Sequence, residues 1–412
     1  MSQPHLGDDQ FSLAALPMAE LAGLANAKGC GPVPAAGMTV TSIDYDRGSP
    51  ATAGLWHVGL RQLRGADVSC TSFFVKLLRH PRLWPGLSAL PDEESRASFV
   101  EYFPWRFELD MYESDIAEAL PPGLRMPVLH TVKYVDQDHI ALWFEYIEQC
   151  PGRWQLADYR RAAYLLGRLA ARRRDGAAVN ARLPGICRVG LPGESLRFYF
   201  RKRVTEATLP ALLDPGLWRH PAVETALRRV GESGLPDDMR ALAERLPAIL
   251  DVLAALPQTH AHGDASPQNL LRPADEPGAF VVIDWGFGDL LPIGFDLGQL
   301  LVGLAHTGET DPNELAAIDA AIMPGYLDGL ADEDYDIDPR LVRTGYLGGL
   351  AVRSALCALP LERLSEPGQT GQPGQADEEL ALFATRMRLT RVMIDLAGEV
   401  EDGVLTHMPA TG

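Results

Sequence analysis

Paired cysteines, long apolar runs and a surplus of positive charge are all missing from this sequence. The five cysteines (Cys30, Cys70, Cys150, Cys187 and Cys357) are odd in number, scattered, and never in a C-x-x-C pair. That argues against a disulfide framework or a cysteine zinc site and for a reducing compartment. Apolar stretches such as "LGQLLVGLA" fall far short of a membrane span. The amino-terminal "MSQPHLGDDQFSLAALPMAEL" has acids where a secretory signal has a basic segment. With 37 Lys and Arg against 55 Asp and Glu, the formal net charge is −18. Such a balance disfavours nucleic acid and anionic membranes, and suits solubility or a cationic substrate. No internal repeat interrupts the chain. A cytoplasmic, enzyme-sized protein is expected.

What is present is size and a change of character along the chain. A chain of 412 residues exceeds what one hydrophobic core supports, so two lobes are expected. A short helix over 10–28 leads. Residues 38–46, 55–64 and 68–79 are rich in β-branched and alternating residues and read as strands at hairpin spacing. "GSPATAG" (48–54) reads as a small-residue loop and "GAD" as a turn. Pro104 and the 3–4 spacing of Trp105, Leu109, Tyr112 and Ile116 predict one amphipathic helix over 104–120. Two more strands follow at 126–135 and 140–147. Beyond them the period turns helical, at 155–174, 238–256, 312–330, 338–360 and 377–398, with a Gly/Pro/Gln loop over 364–379. The expected class is α/β (α+β): a sheet lobe over 1–147 and a mostly helical lobe over 148–412.

One stretch interrupts the helical half. "THAHGDASPQNLL" (259–271) places His262, Asp264 and Asn269 within eight residues, and "FVVIDWGFG" (280–288) sets Asp284 after a strand-forming run. A hairpin of "LLRP" and "FVVID" around "ADEPGA" would bring the three polar residues to one point. An amide and a carboxylate suit Mg²⁺, a hard ion that takes oxygen ligands. The other carboxylate is then free to accept a proton from a hydroxyl. A loop Asp, an Asn five residues on and an Asp before an aromatic-Gly pair match the protein-kinase template for phosphoryl transfer.

"HGDASPQN" together with "IDWGFGDLLPIGFDL" resembles the aminoglycoside phosphotransferase and choline kinase group over about 35 residues. The resemblance implies a two-lobed, protein-kinase-like fold using ATP and Mg²⁺. It makes Asp264 the catalytic residue and Asn269 and Asp284 the magnesium ligands, with His262 and Asp296 bracing the catalytic loop. A kinase also needs a strand lysine and a helix glutamate behind it. Lys76, a lone cation in "FFVKLL", and Glu108 are the candidates, with Glu101 a rival to Glu108 and an outward-facing lysine the bland reading. Backbone groups of Glu145, Tyr146 and Ile147 would read the adenine edge. Loop 48–54 lacks a G-x-G-x-x-G and serves as a phosphate loop no better than as a plain turn.

The acceptor expected is a hydroxyl of a small, cationic molecule such as an aminoglycoside, or Ser/Thr of a peptide precursor. A catalytically silent kinase-like scaffold and a His-x-Asp metal hydrolase stand as alternatives. Arg172, Arg173 and Arg174 read as a solvated helix end, and the acidic "LADEDYDIDP" (330–339) as a solvated face or the lining of an acceptor pocket.

Overall fold

The computed structural model describes residues 38–43, 49–64, 67–90, 92–174, 193–364 and 375–400. The expected helix 10–28, the end of the 38–46 strand, the turn at 65–66 and most of the 364–379 loop lie outside them. The chain divides into two units. The first takes in the described residues up to Glu113, then Met126–Cys150 and Pro273–Asp275. The second takes in Ser114–Arg125, Pro151–Arg272 and the described residues from Glu276 on.

In the first unit, β1 (Met38–Ser42), β2 (Thr52–Arg64) and β3 (Asp67–Arg79) precede α1 (Glu93–Tyr102) and α2 (Phe107–Tyr112). The chain then passes through the second unit, forming α3 (Ile116–Ala119) and β4 (Leu124–Arg125), and returns as β5 (Leu129–Tyr134) and β6 (His139–Glu145). The five strands of the first unit pair antiparallel in the order β1-β2-β3-β6-β5. Strand period does the sorting. Trp56, Val58, Leu60, Phe73, Val75, Leu77, Ala141 and Trp143 pack on one face. Leu78, Ile140, Leu142 and Phe144 pack on the other with Leu109 of α2.

Three local expectations change here. The predicted helix 104–120 is two pieces, because the Ser114 hydroxyl accepts the Ile116 N–H (3.2 Å) and starts a new turn. The polar stretch before it forms α1, capped by Asp92 accepting the Ser95 N–H at 2.7 Å. Half of the 48–54 loop is strand, since β2 begins at Thr52, and buried Arg79 holds the Ser49 and Pro50 carbonyls at 3.1 Å.

The second unit is mostly helical: α4 (Leu156–Arg172), α5 (Glu194–Tyr199), a π-helical segment Phe200–Thr208, α6 (Leu209–Leu213), α7 (Pro215–Trp218), α8 (Pro221–Val230) and α9 (Leu235–Ala255). Four short strands follow: β7 (Gln258–Ala261), β8 (Leu270–Leu271), β9 (Phe280–Val282) and β10 (Asp289–Pro292). Then come α10 (Asp296–Thr307), α11 (Leu315–Ala331), α12 (Pro339–Leu350) running into a π-helical segment Ala351–Ala355, and α13 (Gln375–Ala397). Strand β7 pairs with β10, and β9 lies between β4 and β8. The antiparallel β8–β9 pair is the expected hairpin. An antiparallel sheet followed by a mostly helical region is the α+β class expected from the sequence. No helix among the described residues is long and apolar enough to cross a membrane.

Arg173 corrects the solvated-end reading. It is 3% exposed and pairs with Asp115 at 3.3 Å, while Arg172 pairs with Glu333 at 2.8 Å. A buried guanidinium needs such a partner.

Candidate active site

Four short strands and a tight turn position the polar cluster of the second unit. Strand β7 ends at Ala261, and Gly263 follows with φ 79°. A Cβ at Gly263 would lie 2.0 Å from the Phe287 carbonyl oxygen, so only glycine admits this approach of the two loops. Asp264 leaves that turn. Its carbonyl accepts the Ser266 N–H at 2.7 Å and the Asn269 side-chain amide at 2.9 Å. The Asn269 carbonyl in turn accepts the Ile283 N–H at 3.0 Å, one residue before Asp284. Asp264, Asn269 and Asp284 are thus brought together through one ladder of backbone and amide bonds.

His262 and Asp296 secure that ladder from beneath. The His262 Nδ1 accepts the Asp264 N–H (3.2 Å), which leaves the ring proton on Nε2 to be donated to the Ile283 carbonyl at 2.9 Å. The ring lies 4.6 Å from that of buried Trp285. Asp296, the first residue of α10, accepts the His262 N–H at 3.0 Å and the Gly263 N–H at 2.7 Å. Burial pushes the Asp296 carboxyl up from its ordinary pKa, against the pull of His262 and of these two N–H donors.

Asp284 has φ 57°, in the left-handed region that Asp tolerates better than most residues. With the Asn269 Nδ2 donated to the Asp264 carbonyl, the amide oxygen is the atom of that side chain that could ligate a cation. One amide oxygen and one carboxylate fit Mg²⁺, which keeps most of its ligands from water and phosphates. No cluster of three His, Cys, Asp or Glu suited to a metal occurs among the described residues, so the hydrolase alternative finds no ligand set there.

Arg353 is the residue the sequence reading missed. It stands in the π-helical segment after α12, and its Nη2 lies 2.9 Å from the Asp264 Oδ1. Its Nη1 donates to the Gly263 carbonyl, and its guanidinium sits 4.4 Å over the Phe287 ring. The Tyr199 hydroxyl donates to the Arg353 carbonyl at 3.2 Å. A lone cation in the apolar run "GGLAVRSAL" was the available signal, the same kind that singled out Lys76.

In the first unit, β3 runs between β2 and β6, which removes the edge-strand reading of Lys76. Lys76 shares the face of Phe74 and Leu78, on which α2 packs, and forms an ion pair with Glu108, each side chain 13% exposed. Glu101 is exposed on α1. Glu145, Tyr146 and Ile147 sit where β6 ends. The Glu145 N–H is already donated to the Val128 carbonyl at 2.8 Å, and Tyr146 packs its ring 4.3 Å from that of His57. The acidic 330–339 segment is engaged with α4: Asp332 accepts the Tyr164 hydroxyl at 2.6 Å and Glu333 pairs with Arg168 and Arg172.

Residues 106–331, just over half of the chain, match the model of the phosphotransferase enzyme family. No curated protein sequence matches the chain. Among solved structures, the AMP-bound spectinomycin phosphotransferase is 13% identical, with a TM-score of 0.49 over 93% of this chain and 98% of that one. An aminoglycoside phosphotransferase from Alicyclobacillus acidocaldarius is 13% identical, with a TM-score of 0.44 over 82% and 92%. One from Streptomyces rimosus, bound to ADP and streptomycin, is 17% identical, with a TM-score of 0.37 over 82% and 99%.

Proposed function

The chain belongs to the phosphotransferase enzyme family, and from that premise we propose that it transfers the γ-phosphoryl group of ATP to a hydroxyl of a small molecule. The observation that carries this reading is the Asp264–Asn269–Asp284 cluster, tied by His262 and Asp296 within the stretch that matches the family. In the reaction, the acceptor oxygen bonds to the γ-phosphorus as the bond to the β,γ-bridging oxygen breaks. ADP leaves with that electron pair, and the hydroxyl proton passes to a carboxylate oxygen of Asp264.

Each of the other residues has a limited task. Asn269 and Asp284 would hold Mg²⁺, which when bound neutralises charge on the phosphates. Lys76, steadied by Glu108, would grip phosphate oxygens. With the Glu145 N–H occupied, the Glu145 carbonyl and backbone groups of Tyr146 and Ile147 would read the adenine edge. The fixed turn at Gly263 keeps Asp264 from drifting, and small displacements of a positioned base are costly.

The test is transfer from γ-labelled ATP with Mg²⁺ to pooled hydroxyl compounds, with Asp264→Asn beside the unsubstituted protein. We expect label to move, and turnover to fall by roughly 10²–10⁴ in the variant, the scale of a positioned base. Near-normal turnover in Asp264→Asn removes that residue from the role. Failure to bind Mg·ATP at all would overturn the reading in favour of a silent scaffold.

A further inference from the structure

A kinase's catalytic aspartate must present a free carboxylate oxygen to the incoming hydroxyl. Here the Oδ1 of Asp264 is filled by the Arg353 guanidinium at 2.9 Å. That contact is well built. Arg353 is only 11% exposed at its side chain, is stacked over Phe287, and is fixed at its carbonyl by Tyr199. Phe287 itself is 49% exposed, so the stack borders open surface. The π-helical turn that carries Arg353 inserts an extra residue into the run of α12, a device frequent at functional sites.

Arg203 and Arg353 both act on the Tyr199 hydroxyl, and Arg386 joins Arg353 in acting on His306, so two further guanidinium groups lie in the surroundings of Arg353 on a chain whose net charge is −18. Two carboxylates of the 330–339 segment, which sequence alone offered as the lining for a cation, are engaged: Glu333 by Arg168 and Arg172, and Asp332 by the Tyr164 hydroxyl. A cationic acceptor approaching Asp264 would meet a guanidinium of its own sign, which costs affinity.

We propose that Arg353 is the specificity-determining residue for the acceptor, and that the acceptor is a small hydroxyl compound carrying an anion, a carboxylate or a phosphate. The guanidinium is a planar fork of five donors that matches either group bidentately. An anionic acceptor takes up the Arg353 fork beside Asp264 and so brings its hydroxyl to that carboxylate. An acceptor without the anion gains no such contact. This rests on the kinase reading above and adds the class of acceptor to it.

The experiment offers γ-labelled ATP and Mg²⁺ to four separate sets: sugar acids and other hydroxy acids, sugar phosphates, neutral sugars, and aminoglycosides. Label in the first or second set is the expected result, and which of the two takes it separates carboxylate from phosphate. For the accepted compound, Arg353→Ala raises the acceptor KM by roughly 30-fold or more, the scale of losing one partner of a close charge pair. The KM for ATP stays within about twofold, which a phosphate-gripping or merely structural arginine would not allow. Arg353→Lys keeps the charge without the fork and falls between the two, and serves if the alanine variant does not fold. Label confined to neutral sugars or aminoglycosides, label in no set, or an unchanged acceptor KM overturns the proposal. In each of those cases the kinase reading is judged separately, by Mg·ATP binding and by Asp264-dependent hydrolysis of ATP in water.

Discussion

Asp284 shows how much a single residue can be asked to do. It follows β9 directly, so its position is set by the pairing of Leu270 and Leu271 with Val282 and Val281, and by the Ile283–Asn269 bond. Its left-handed backbone turns the chain sharply into Trp285 and Gly286. Asp and Asn tolerate that conformation and β-branched or bulky residues do not, so chemistry and backbone select the same residue type. Replacing Asp284 by Ala should weaken Mg-dependent ATP binding by at least about tenfold, or ~1.4 kcal/mol. Asp284→Asn, which keeps an oxygen and the backbone preference, should lose less. Calorimetric titration of ATP with and without Mg²⁺ reads both. Equal affinity for all three proteins in the presence of Mg²⁺ would rule out the metal role.

At the scale of elements, packing geometry explains both what the sequence revealed and what it hid. Helices α4 and α11 meet backbone to backbone. A Cβ at Gly329 would lie 2.0 Å from the Tyr164 carbonyl oxygen, one at Gly325 2.5 Å from that of Arg160, and one at Gly167 2.2 Å from that of Tyr326. Segment 155–174 announced α4 by the apolar stripe it buries, and 312–330 announced α11 by a long apolar run rather than by a sorted face. The glycines that let them approach carry no stripe and were silent. For the same reason α1 was passed over: its start is a polar cap and its faces are poorly sorted, so hydrophobic period had nothing to report. Lys76 and Glu108, 32 residues apart in sequence, looked distant, yet the sheet's period and the docking of Leu109 on Leu78 and Phe144 settle where they meet. Arg353 stayed hidden because its partner, Asp264, lies 89 positions earlier and no local pattern links them. Substituting Gly329 by Val should force the two helices apart and cost about 1–3 kcal/mol, the range for overpacking a close contact. A denaturation midpoint unchanged from that of the unsubstituted protein would show that the helices do not depend on this approach.

For the molecule as a whole, the consequence of burying these elements together is a sensitivity to acid. His260 in β7 is fully buried, with no partner for either ring nitrogen among the described residues, and burial beside the Arg173 charge brings its pKa down to about 3. His306, at the end of α10, is brought down to about 4 by burial and by the charges of Arg386 and Arg353. An unfolded chain restores both to about 6.5. The folded state therefore binds fewer protons than the unfolded state between the folded and unfolded pKa values. The stability these histidines contribute is complete above about pH 6.5 and is lost as pH falls towards 4 and then 3. Asp296 works the other way, since its raised carboxyl pKa adds stability as pH falls towards its unfolded value. Over the range in which only the histidines titrate, each contributes up to about 1.4 kcal/mol per pH unit below 6.5. Unfolding free energy should thus drop by roughly 3 kcal/mol between pH 8 and pH 5.5 from the two together. His260→Gln, which removes one titrating group but keeps a similar volume, should cut that drop by about half. Urea unfolding of both proteins at the two pH values measures it. A drop of the same size in the variant would mean that His260 is not a source of the acid response, and that its neutral burial carries no linkage to folding.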